Sequence, residues 1–154
     1  MTDNVATTFF KEITYDWRLK LNINISTIIT DNIAELLVKI LEFTERRHQI
    51  LTHNIEAVAT PGFVPADLDV VEFAELITEA VSEHIRSKRL LLRDSKHIKF
   101  GPDGSFETIP IVDDYAKWLF EKDTEKYLKL QIDKLSENLI NKRTAAELLE
   151  SKKR

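Results

Sequence analysis

The sequence has few of the residues that cross-link or interrupt a chain: its 154 residues include no cysteine, three glycines and four prolines. The lack of cysteine excludes disulfide scaffolds, cysteine-ligated zinc and thiol chemistry. No run of 18 apolar residues occurs, so the sequence predicts no membrane-spanning helix. The first residues also lack the basic and apolar regions of a cleaved signal peptide.

Neither sign of charge is in large excess, because 22 Lys and Arg stand against 26 Asp and Glu, giving a net charge of −4. Nucleic-acid-binding domains are usually basic, so we expect no nucleic-acid partner. Three glycines are too few for a phosphate-binding loop, and no Gly-x-Ser-x-Gly element occurs. We therefore expect no enzyme activity, no cofactor and no small-molecule substrate.

The first thirty residues contain an alternating pattern. Between Ile13 and Ile25 every odd position is apolar and every even position is polar. This period of two predicts a half-buried strand, although a helix stays open because Ile13, Trp17 and Leu21 lie four apart. We therefore divide the chain into a strand-like extension, residues 1–30, and a helical domain, residues 31–154.

Three helices are predicted in that domain, over about 31–59, 70–92 and 113–150. The first ends at Thr60, because a residue before proline disfavours helical backbone, and the second follows the capping pattern of Asp69 and Glu72. The first and third carry narrow apolar stripes at steps of four and three. These predicted seams are Leu37, Leu41, Thr44, His48, Leu51 and Ile55 in the first helix, and Leu128, Ile132, Leu135 and Leu139 in the third.

Together these patterns predict a mainly α fold. Its long N- and C-terminal helices pair as an antiparallel coiled coil, and the middle helix packs beside them. A small β element is predicted from the N-terminal strand and a possible hairpin near 98–111, where Pro102-Asp-Gly104 supplies turn residues. An irregular loop over the same residues stays open. Because the stripes are narrow, we expect part of each helix to be covered by another chain.

Two features invite a functional interpretation. Glu45 and His48 have the Glu-x-x-His spacing of di-iron bundles, but the motif occurs once, and a surface Glu beside a seam His is favoured. Trp17 and Trp118 could anchor a partner, although core positions are favoured for both. Neither feature supports a metal site or a catalytic centre.

The most specific segment is 46–69, where several residues agree with a known pattern at fixed spacing. It resembles the flagellar basal-body rod proteins, most closely the proximal rod protein, whose first long helix ends in Asn-Ile-Ala-Asn-x-x-Thr-x-Gly-Phe/Tyr. The matching residues are Asn54, Ile55, Thr60, Pro61, Gly62 and Phe63, followed by Asp67-Leu68-Asp69. Glu56 and Ala57 depart from the family's Ala-Asn pair.

The resemblance implies a structural subunit whose terminal helices stack with those of its neighbours in a hollow axial tube. Such proteins are exported through the flagellar type III apparatus and assemble in the periplasm, as part of the basal body. The implied partners are other rod subunits, the rod adaptor at the base, the membrane-ring protein and the export gate.

Other interpretations remain open from the residues alone. The corner at Thr60-Pro-Gly62 is also what an ordinary helix-loop-helix turn requires. The narrow stripes would also suit a soluble helical adaptor or a chaperone-like homodimer. A small metal-dependent oxidase built on Glu45 and His48 is the third hypothesis.

Overall fold

The computed structural model describes residues 31–152, and over this range the chain is mainly helical, as predicted. Its α-helices are α1 (Asp31–Glu56), α2 (Val70–Ser87), α3 (Asp114–Lys122) and α4 (Thr124–Lys152). The predicted strand Ile13–Ile25 and the extension 1–30 lie outside the described residues. Among the helices of the described range, none is long and apolar enough to cross a membrane.

Two small antiparallel strand pairs accompany the helices. Strands β2 (Ile98–Phe100) and β3 (Phe106–Thr108) form the predicted hairpin around a 3-10 turn at Pro102–Gly104. Strand β4 (Ile111–Val112) does not extend that hairpin. It pairs instead with β1 (Ala66–Asp67), so that the segment before α3 is attached to the segment that follows α1.

Helices α1 and α4 pack along each other in opposite directions, which agrees with the predicted antiparallel pairing. Near the C-terminal end of α1, Asn54 bonds to Gln131, and nearer the middle of α1 the carbonyl of Thr44 accepts from Asn138. The positions buried between the helices follow steps of four and three, as in a coiled coil. They are Ile33, Leu37, Ile40, Thr44, Arg47, Leu51 and Asn54 in α1, and Tyr127, Gln131, Asn138, Asn141 and Ala145 in α4.

The seam predicted on α4 is wrong by one position. Ile132 and Leu139 are 53% and 46% exposed, and Leu128 and Leu135 are half-buried. One residue corresponds to a rotation of about 100°, so the predicted line lies beside the line that faces α1. We call Leu128, Ile132, Leu135 and Leu139 the outer stripe. The prediction selected the apolar positions of α4. The face of α4 that contacts α1 is instead largely polar, because it carries hydrogen bonds and ion pairs.

The seam predicted on α1 is partly correct. Leu37 and Leu51 are buried, and Leu41 is half-buried against the core, but His48 is exposed. Its predicted place in the seam is taken by Arg47. The guanidinium of Arg47 donates two bonds to one carboxylate, that of Asp67, which a single imidazole ring cannot do.

Three predicted helix limits differ from the structure. The first helix ends at Glu56 rather than near 59, because Ala57–Ala59 form a 3-10 helix. The middle helix ends at Ser87 rather than near 92, because Lys88 adopts left-handed backbone (φ 63°) and lets Leu90 and Leu92 fold back onto the core. The predicted C-terminal helix is two helices, since Asp123 is extended and its carboxylate accepts from the backbone N–H of Lys126. An aspartate at such a break satisfies the free amides of the helix that follows.

The main core lies between α1, α2 and the β2–β3 hairpin. The rings of Phe43 and Phe73 stack with centroids 4.0 Å apart, and Phe106 packs beside Phe73 at 6.1 Å. A second, smaller core joins Ala116 and Leu119 of α3 to Tyr127 of α4. The corner that carries the family resemblance lies between α1 and α2, where α4 and β4 also contact it.

Candidate assembly site

The corner begins where α1 gives way to a short 3-10 helix, Ala57–Ala59. Thr60 is extended, its amide donates to the carbonyl of Ala57, and the amide of Phe63 donates to the carbonyl of Thr60. Gly62 has a φ of 76°, in the left-handed region that favours glycine. A Cβ atom there would meet nothing within 4 Å, so glycine is needed for backbone conformation rather than for space.

Asn54 fastens the end of α1 to the far side of the corner. Its amide nitrogen donates to the carbonyl of Ala66 at 2.7 Å, and its side-chain oxygen accepts from the Ala66 amide at 3.4 Å. The same nitrogen donates to Gln131 of α4, and the Tyr127 hydroxyl donates to the Asn54 carbonyl at 2.8 Å. Because both donors of the buried Asn54 amide group and its oxygen are hydrogen-bonded, the side chain fixes the position of the corner relative to α1 and α4.

Asp67 forms a second attachment, through buried ion pairs. Arg47 of α1 donates two bonds to its carboxylate, at 2.9 and 3.0 Å, in the bidentate geometry that gives strong recognition. Lys134 of α4 donates to the same carboxylate at 3.0 Å and also to Asp113, the residue that caps α3. One carboxylate therefore connects the corner to both long helices.

The ionisation of this cluster follows from its contacts. Burial by itself raises the pKa of Asp67, but the adjacent Arg47 and Lys134 outweigh burial and hold that pKa below its usual value. For Lys134, burial lowers the pKa, whereas Asp67 and Asp113 more than compensate, and the pKa is raised. Both groups are therefore charged at neutral pH, which keeps the ion pairs intact.

Tyr127 is the fully buried aromatic residue under the corner. Burial, and then the negative charge of Asp113, raise its pKa to about 12. Its ring meets Phe120 edge-on at 5.1 Å. The phenol therefore stays neutral and keeps its hydroxyl available as a donor to Asn54.

Beside the corner runs a mostly apolar groove of about 420 Å³. Its lining residues are Gln49, Ile50, His53, Asn54, Phe63, Val64, Ala66 and Pro110. The ring of Phe63, one of these residues, meets that of His53 edge-on at 5.4 Å and lies 6.0 Å from that of Phe120. The groove therefore presents apolar surface at the place where the motif residue Phe63 emerges.

Helix α3 presents a second apolar feature, the aromatic pair Tyr115 and Trp118. Their rings lie 6.2 Å apart and nearly parallel, and the residues are 60% and 54% exposed. The core position favoured for Trp118 is therefore wrong. Ala116 and Leu119 point into the small core. Each ring comes one residue before one of them, so the two rings share the adjacent face, about 100° around the helix.

The predicted motif residues thus divide into two sets. Asn54, Asp67 and Asp69 hold the structure together, Asp69 by accepting from the Glu72 amide at 3.0 Å as the cap of α2. The others form the surface of the corner: Thr60, Pro61 and Gly62 are exposed, and Ile55 and Phe63 are half-buried.

Sequence reasoning missed the residues that Asn54 and Asp67 contact. These are Arg47, Tyr127, Gln131 and Lys134, the last of which also binds Asp113. The buried positions of α4 from Tyr127 to Ala145 do follow steps of four and three in the sequence. Hydrophobic periodicity does not identify them, because most of these positions are polar.

The Glu45 and His48 pair does not form a site with other metal-binding side chains in the described range. Glu45 lies 2.8 Å from Lys142 of α4, and His48 is exposed. Within residues 31–152, the ligand atoms of Asp69, Glu72 and His97 do lie within 4.8 Å of one another. Helix capping by Asp69 and a 3.2 Å contact between Glu72 and His97 account for that proximity.

Comparison with known proteins adds no relatives: no family model matches the chain, and neither curated proteins nor solved structures match it.

Proposed function

We propose that this protein is a non-enzymatic structural subunit of the bacterial flagellar basal-body rod, in its proximal part. The observation that carries the proposal is the way Asn54 and Asp67, both in the segment that resembles rod proteins, attach the corner to α1 and α4 together. A motif that serves assembly would need such a fixed orientation relative to the two helices that stack.

The exposed apolar surfaces support a role in assembly. Tyr115 and Trp118 have the size and chemistry of residues that contribute most to protein interfaces. The groove at Phe63 is a separate surface. It is concave and mostly apolar, and so could receive protruding aromatic side chains such as these. Contacts between two different surfaces of identical subunits need not close, and they can propagate along an axis.

In this role, the partners are neighbouring rod subunits, the rod adaptor, the membrane-ring protein and the export gate. The subunit would pass through the type III export apparatus and assemble in the periplasm. Assembly is stabilised by the burial of apolar surface between subunits, which contributes a free energy of roughly 25 cal/mol per Å². No cofactor takes part.

Incorporation into basal bodies tests the proposal. A tagged copy is expressed in the flagellated host, and basal bodies are isolated and probed for it. We expect the wild-type protein to copurify in constant proportion, and the Trp118→Ser variant to be depleted, while the exposed neighbour variant Lys117→Ser behaves as wild type. Absence of the wild-type protein from intact basal bodies would contradict the proposal.

A soluble helical adaptor or chaperone-like homodimer is the second candidate, and the exposed apolar side chains of α4 favour it. A closed dimer would keep a constant mass in light scattering as the protein is diluted. A rod subunit in isolation would instead be monomeric at low concentration.

A further inference from the structure

The outward side of α3 carries a row of three residues at steps of four. Asp114, Trp118 and Lys122 form this row, and all three are exposed. Successive members of such a row lie about 40° apart around a helix, and Tyr115 lies about 20° beyond Lys122. The four side chains therefore share an arc of about 100°. We call them the α3 face.

The two rings of the α3 face expose much of their surface. Tyr115 is 60% exposed and Trp118 is 54% exposed, and Val112, in the strand just before α3, is 51% exposed. Since an aromatic side chain presents about 150–250 Å², the three residues together expose on the order of 300 Å² of apolar surface. Apolar patches of this size on a single chain often mark an interaction site.

A second copy of the chain can cover this face reversibly. Because apolar atoms make up about 60% of an interface, 300 Å² of apolar surface corresponds to about 500 Å² on each copy and about 1,000 Å² in total. That total is at the lower limit of specific interfaces. We therefore expect a weak dimer that dissociates on dilution.

The charges of the α3 face favour a second α3 that runs in the opposite direction. Asp114 lies four residues before Trp118 and Lys122 lies four residues after it, about 6 Å along the helix on either side. When two such helices lie antiparallel with Trp118 at the centre, each Asp114 faces Lys122 of the other copy. In a parallel pair, like charges would meet at both ends. The face is therefore complementary to itself, as a two-fold interface requires.

We propose that two copies of the free protein pair through α3 about a two-fold axis. Tyr115 and Trp118 lie at the centre of this contact, and ion pairs between Asp114 and Lys122 lie at its two ends. The proposal does not rest on the rod function, because it concerns the isolated chain. The dimer must separate before Trp118 can contact a different surface of a neighbouring subunit.

Sedimentation equilibrium of the full chain at low ionic strength measures this contact. We expect the wild type to change from monomer to dimer as its concentration rises from the micromolar to the millimolar range, and its mass to stop at two copies. Trp118→Ser should remain monomeric throughout. Far-UV circular dichroism verifies that each variant is folded.

Charge reversals distinguish the two-fold contact from other modes of association. Asp114→Lys and Lys122→Asp each replace both ion pairs by pairs of like charge, so each variant alone should dimerise roughly tenfold more weakly. An equal mixture of the two variants regains both ion pairs and should form mixed dimers about as tight as those of the wild type. Lys117→Asp makes the same change in net charge about 140° around the helix from Lys122, and should behave as wild type.

Four results would overturn the proposal. A wild type that stays monomeric over the whole concentration range would show that the α3 face is left open. Association that survives Trp118→Ser would place the contact elsewhere on the chain. A mixture that associates no more tightly than the two variants alone would exclude the two-fold pairing, and so would a mass that grows beyond two copies.

Discussion

Replacing Asp67 by asparagine should destabilise the protein through its buried cations. The carboxylate accepts two bonds from Arg47, one from Lys134 and one from the Leu68 amide. Asparagine has nearly the same shape but turns an N–H₂ group toward one of these donors and removes the negative charge. The guanidinium of Arg47, 4% exposed, would then be buried without its main partner.

The loss in unfolding free energy depends on the ion-pair partners that Arg47 and Lys134 keep after the substitution. Removing one partner of a buried ion pair costs about 3–5 kcal/mol. Lys134 keeps Asp113, and Arg47 keeps Glu137 at 4.0 Å, so we expect the lower limit, about 3 kcal/mol. A domain with a total stability of roughly 5–15 kcal/mol would remain folded.

Urea unfolding followed by circular dichroism at pH 7 measures this loss. Glu83→Gln, which breaks the exposed pair with Arg86, is the matched control and should change little. Because the pKa of Asp67 is lowered in the folded state, its contribution is present above the unfolded pKa of about 3.9 and disappears as the pH falls below it. A loss under about 1 kcal/mol at pH 7, or a difference independent of pH, would refute the reasoning.

Three further predictions concern the corner. Tyr127→Phe should remove a phenolate absorbance transition near pH 12; in the wild type, stability should decline as pH rises above about 10, where the unfolded phenol ionises first. Gly62→Val should cost about 1–2 kcal/mol because φ is positive, and Gly62→Asn less; equal costs would contradict the conformational explanation. Asn54→Ala should cost about 1–3 kcal/mol in urea unfolding, whereas the adjacent exposed His53→Ala should cost little.

Much of the fold could be predicted from the sequence, because its determinants are local. Pro61 and Gly62 end the first helix, Asp69 begins the next, and the Pro-Asp-Gly turn specifies the β2–β3 hairpin. The break at Asp123 was not predicted, since one aspartate within a helical period is compatible with either a cap or an exposed helical position.

The site was harder to predict, because it depends on contacts between distant residues. Hydrophobic periodicity identified the outer stripe, but the face of α4 that contacts α1 carries Gln131, Asn138 and Asn141. Asn138 is buried because the Thr44 carbonyl accepts from its side chain, and the side-chain oxygen of Gln131 accepts from Asn54. Asn54 and Asp67 could be selected through the family resemblance, whereas their partners required the three-dimensional structure.

Deletion of the gene in its own host, followed by electron microscopy of isolated basal bodies, tests the proposed function most directly. The rod proposal predicts mutants that do not swim and whose basal bodies keep the membrane ring but lack rod and hook, with the wild-type gene restoring both. Swimming mutants with intact basal bodies would contradict it.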